Sequence, residues 1–140
     1  MIMKKYFISS IVLLLSLIAT PVKAQQQAEQ QNYVILTKKL PQLQPIFLTA
    51  ETLAQEDGEN FGKFEVIICG QTVKELTDRD MMQEYIEKAE KAKVELVICG
   101  FSLNKFGVDR KDISPQLRTV ENGILYNLQL QKKGYTSLSL

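Results

Sequence analysis

Two cysteines, Cys69 and Cys99, are the residues of this 140-residue chain best suited to covalent chemistry. They lie in near-copies. Residues 65–76 read EVIICGQTVKEL and residues 95–106 read ELVICGFSLNKF. Each stretch is an acidic residue, three aliphatic residues, Cys-Gly, and a short mixed run. The chain contains no histidine. That removes a histidine-assisted nucleophile and the common zinc ligand sets, because two cysteines cannot close a tetrahedral site alone. No glycine-rich phosphate-binding motif occurs. No metal and no other cofactor is expected, and any reaction falls to a thiol.

Three readings of the cysteines follow. Free cysteine packs as a small hydrophobe, and both follow apolar runs. A disulfide suits an exported protein. A reactive sulfur suits the position, because a thiol at a helix N-terminus is stabilised as thiolate, the nucleophilic form.

The elements that must carry the thiols are legible from periodicity. Strands are expected at Tyr33–Thr37, Phe64–Ile68, Val94–Ile98, Leu117–Val120 and Tyr135–Leu140. A helix follows Pro45, with Phe47, Leu48, Ala50, Leu53 and Ala54 at helical spacing. A second, broken near Thr77–Asp78, carries the stripe Met81, Met82, Tyr85, Ile86 and Ala89. A short third helix covers Ser102–Phe106, with Ser102 expected to cap it. The last covers Ile124–Lys132, with Asn122 as its N-cap and Gly134 closing it.

Alternating strands and helices predict an α/β fold, an open, five-stranded, parallel or mostly parallel sheet with helices on both faces. The thirty-residue offset of the near-copies is then the length of one βα unit. In such sheets sites form beyond the carboxyl ends of the strands, where both cysteines lie. In the flavodoxin-like strand order 2-1-3-4-5 their strands flank the first strand, two spacings or about 9–10 Å apart. A disulfide, which needs Cα atoms within about 7 Å, then requires the two turns to bend together.

Residues 98–113, ICGFSLNKFGVDRKDI, and the closing run VENGILYNLQLQKKGYTSLSL resemble the DsrE/DsrF-like sulfur-relay family. The matching features are a strand running into Cys-Gly, a leucine, a Phe-Gly, an aspartate-containing turn, and then Gly123, Leu130-Gln131 and Gly134-Tyr135. The resemblance spans roughly residues 33–138. It implies a flavodoxin-like three-layer α/β/α fold, a homo-oligomer, and a cysteine carrying persulfide sulfur between donor and acceptor proteins or small thiols. Cys99 matches the family's cysteine. The implied supporting turn is Gly70, Gly100, Phe101, Ser102 and Leu103. The backbone N–H groups of Gly100–Leu103 are expected to steady the thiolate, Lys105 to add positive charge, and Cys69 to serve as a second thiol. The alternative is a non-catalytic, oligomeric binding or structural module.

Residues 1–24 read as a secretory signal, with Lys4 and Lys5 before the apolar run Ile8–Ile18 and cleavage expected after Ala24. That predicts a periplasmic or secreted protein with no stable membrane insertion after cleavage. Residues 25–32, QQQAEQQN, read as a flexible polar lead-in, and 33–140 as one domain. Removing Lys4, Lys5 and Lys23 from the 17 basic residues leaves 14 against 16 acidic, a net charge of −2. With no basic stripe, nucleic acid is not an expected partner.

Overall fold

The computed structural model describes residues 29–140. The expected signal peptide, its cleavage site and the start of the polar lead-in lie outside the described residues. In chain order the elements are β1 (Gln31–Thr37), α1 (Leu43–Asp57), β2 (Phe61–Ile68), α2 (Arg79–Lys91), β3 (Val94–Cys99), α3 (Gly100–Lys105), β4 (Arg118–Val120), α4 (Gly123–Lys132) and β5 (Thr136–Ser139). The first strand thus begins inside the stretch expected to be flexible, because Gln31 pairs with Phe61 of β2. The break expected near Asp78 is real. A 3-10 helix, Gln71–Thr77, ends there, and the Asp78 side chain caps α2 by accepting from the Met81 N–H.

All strand pairs are parallel, and the order across the sheet is β4-β3-β2-β1-β5. The three-layer, five-stranded α/β architecture is as expected, but the 2-1-3-4-5 arrangement needs correction. β2 and β3 are direct neighbours, and β1 lies between β2 and β5. The physical reason is one of direction. The connections from β1 to β4 all step the same way, so right-handed crossovers put α1 and α2 on one face. The return from β4 to β5 runs the other way and puts α4 on the opposite face.

Two separate cores record this division. Ile35, Val66, Ile68, Leu96 and Ile98 pack with Phe47, Met82 and Ile86 beneath α1 and α2. Val34, Leu36, Ile67 and Val97 pack with Cys69, Cys99 and Leu130 beneath α4. Alternate residues of β2 and β3 feed opposite cores, so both strands are apolar on both faces, as their sequences indicate.

One acid interrupts the second core. Glu65 is buried on β2, four residues before Cys69 and on the same face. Its carboxylate accepts from the Tyr126 hydroxyl of α4 at 2.6 Å and from Arg118 of β4 at 2.9 Å. Arg118 also binds Glu95 at 2.6 Å. This network ties α4 to the sheet at a distance from the thiols. Glu65→Ala is expected to lower unfolding free energy by about 2 kcal/mol, since it strips the shared partner from a half-buried Tyr hydroxyl and a half-exposed Arg. Urea denaturation checks this, and a midpoint equal to wild type would contradict it.

Candidate functional site

The register of β2 on β3 brings the two cysteines together. Ile68 pairs with Ile98, so Cys69 and Cys99 are the next residues on adjacent strands. Neighbouring strands lie about 4.8 Å apart. The Cys69 N–H still donates to Thr37 O of β1 at 2.9 Å, and Cys99 pairs with Val120 of β4. Both ends are therefore held in the sheet. Both thiols are free and buried, and both belong to the core beneath α4. The expected two-spacing separation falls with the strand order that required it.

The helix over the thiols is α4. Asn122 caps it as expected, its side chain accepting from the N–H groups of Ile124 at 3.0 Å and Leu125 at 3.2 Å. That leaves the Gly123 N–H for Cys99, whose Sγ it reaches at 3.3 Å. The approach demands glycine. A Cβ on Gly123 would stand 2.7 Å from Cys69 Sγ, 2.8 Å from Ile67 Cγ2 and 3.1 Å from Cys99 Cβ.

Ser102 holds the other side. It does not cap α3, as the sequence suggests; Cys99 occupies the cap position, with no side-chain cap bond. The buried Ser102 Oγ accepts from the Gly70 N–H at 2.8 Å, which leaves its own proton to donate to the Cys99 sulfur. The same bond ties the turn after β2 to α3. Gly70 makes that turn at φ +80°, in the region that favours glycine.

The two thiols are electrostatically unlike. Burial pushes Cys99 up, but the donors around it, the Ser102 hydroxyl and the Gly123 N–H foremost, outweigh it and hold it below the ordinary value. Burial pushes Cys69 up to about 12, reinforced by the charge and the hydrogen bond of Cys99. The pair therefore ionises on Cys99, with Cys69 protonated beside it.

A cleft of about 390 Å³ opens from the sulfurs, with Phe101, Lys38, Lys105 and Ile124 among its walls. Phe101 and Ile124 are exposed at its rim. Of the expected N–H cradle, no group of α3 is capped by the Cys99 side chain. The Phe101 N–H instead donates to Glu121 O at 2.7 Å, and Gly100 is pressed against Val120 O. Leu103 packs in the core of the opposite face. Lys105 lines the cleft. Sequence reasoning missed Lys38 and the part of Gly123. The signal for Gly123 was present in Asn122-Gly123, a helix cap followed by a residue with no side chain. Nothing local marked Lys38, which reaches the site only because β1 lies beside β2. Among the described residues no cluster of three or more His, Cys, Asp or Glu is placed to hold a metal ion, and no helix is long and apolar enough to cross a membrane.

These directions predict a pH profile. Cys99 reactivity toward iodoacetamide is expected to rise with pH and level off with a midpoint below that of a free cysteine. Ser102→Ala, by removing a donor to the thiolate, is expected to move that midpoint upward. Mass mapping of alkylated Cys99 across pH checks both. A wild-type midpoint at or above that of a free thiol would contradict the arrangement.

Fold and site together define a parallel α/β protein with an asymmetric dithiol at its strand ends. No family model matches the chain, and no curated protein does. Solved structures do. A protein of unknown function from Methanobacterium thermoautotrophicum superposes with a TM-score of 0.62 at 15% identity, over 80% of this chain and 100% of that one. A conserved protein of unknown function from Bacteroides thetaiotaomicron gives 0.59 at 18% identity, over 79% of this chain and 95% of that one. At such identities the likeness establishes the fold alone.

Proposed function

We propose that the protein is a DsrE/DsrF-like sulfur carrier that holds sulfane sulfur as a persulfide on Cys99. The observation that carries this reading is the set of donors converging on the Cys99 sulfur, which stabilises thiolate without a histidine. In the loading step Cys99 thiolate attacks the outer sulfur of a persulfide donor. The donor's S–S bond breaks, the donor leaves as thiolate, and Cys99 carries the persulfide. An acceptor thiolate then attacks that outer sulfur and restores Cys99 thiolate. No net oxidation occurs. Lys38 and Lys105 face the cleft into which the outer sulfur projects and favour its anionic form. The export reading of the N-terminus makes small exported thiols and periplasmic proteins the proposed partners.

Reduced protein treated with glutathione persulfide, desalted and given cyanide at once, before any bound sulfur can discharge, tests this. Wild type is expected to yield thiocyanate and Cys99→Ser none. One observation favours the alternative of an oligomeric binding module. Ile124, Leu125, Leu128 and Leu138 stand exposed on α4 and β5, a surface that a second copy of the chain would cover. Absence of thiocyanate from wild type would leave that reading in place.

A further inference from the structure

We infer that Cys69 is a resolving thiol, which attacks the Cys99 persulfide, expels its outer sulfur as sulfide, and leaves a Cys69–Cys99 disulfide. The inference rests on the proposed persulfide and adds a second outcome for the bound sulfur.

Geometry carries it. The cysteines directly follow a paired position, Ile68 with Ile98, on adjacent parallel strands, whose spacing is about 4.8 Å. That lies within the roughly 4.4–6.8 Å that a disulfide spans. Both side chains belong to the core on the α4 face, and a single Cβ placed on Gly123 would meet both, at 2.7 Å from Cys69 Sγ and 3.1 Å from Cys99 Cβ. Neither strand end has to move far, and the absence of a side chain at Gly123 leaves the two sulfurs side by side under the helix. The outer sulfur has the cleft to project into, beside Lys38 and Lys105, whose charge favours a departing anion.

The step balances without an outside oxidant. Cys69 sulfur attacks Cys99 Sγ and the bond from Sγ to the outer sulfur breaks. The two cysteine sulfurs are oxidised to a disulfide as the sulfane sulfur is reduced to sulfide. The Cys69 proton leaves with it as HS⁻. An external thiol then reduces the disulfide and resets the protein. The high pKa of Cys69 makes this discharge slow beside transfer to an acceptor thiolate. The carrier therefore keeps its sulfur while an acceptor is at hand and releases sulfide when none arrives.

The test uses the reduced protein loaded with glutathione persulfide, freed of small thiols by desalting, and followed by intact mass and sulfide assay. Wild type is expected to convert from a species heavier by about 32 Da to one lighter than the reduced chain by about 2 Da, with about one sulfide released per chain. Cys69→Ser is expected to keep its added sulfur and release no sulfide. A stable wild-type persulfide, or equal sulfide release from Cys69→Ser, would overturn the inference and leave the carrier reading standing. No sulfur uptake by either protein would overturn both.

Discussion

Gly123→Val is expected to lower unfolding free energy by about 3 kcal/mol and to blunt Cys99 reactivity in the same variant. The Cβ alone would overlap Cys69 Sγ and Ile67 Cγ2, atoms that belong to a close-packed sheet and cannot retreat. Relief requires the start of α4 to lift. Lifting breaks the Gly123 N–H bond to Cys99 and admits water to the second core, so the thiolate loses a donor. The expected signature is a lower urea midpoint together with an upward shift in the pH midpoint of Cys99 alkylation. Gly107→Ala is the control. Gly107 has φ +68° with open space around its Cβ position, so the cost is about 1–2 kcal/mol of backbone strain, with no effect on the thiol. A Gly123→Val protein with wild-type stability and reactivity would show that α4 does not press on the pair as described.

Cys99→Ser is expected to abolish sulfur uptake and fast alkylation while the fold persists, with stability within about 1.5 kcal/mol of wild type. The hydroxyl is nearly isosteric and can use the donors that serve the thiolate, but it does not ionise near neutrality. Cys69→Ser, by contrast, is expected to retain uptake. The two cysteines are similarly buried, so burial alone gives no reason for the difference. It comes from the hydrogen bonds from Ser102 and Gly123, which go to Cys99. Equal loss of uptake in both variants would mean that the thiols act only as a pair.

Much of this was legible beforehand because it is local. The apolar runs before each cysteine specify strands buried on both faces, and Asn122 and Gly134 bracket the last helix in the expected way. Strand order was not legible, because it depends on which way each crossover steps across the sheet, and short-range pattern carries no record of that. The error had a direct consequence for chemistry. Placing β2 and β3 on either side of β1 set the thiols two strands apart, whereas the actual register makes them neighbours. Glu65 was likewise read only as part of a repeated pattern. Its burial became meaningful once Arg118, Tyr126 and Tyr135 arrived from elements 53 to 70 residues away. Ser102 illustrates the same point at closer range. A serine at the start of a short helix looks like a cap, but the Gly70 N–H from the turn after β2 claims its oxygen.

The central claim, that Cys99 is the sulfur-bearing atom, is tested most directly on the Cys69→Ser protein, in which discharge is blocked. It would be incubated with glutathione persulfide, desalted, and analysed by intact mass and peptide mapping. The expected result is one added sulfur per chain, a gain of about 32 Da, located on the peptide containing Cys99. No gain, while a free-cysteine peptide in the same mixture does gain sulfur, would contradict the account.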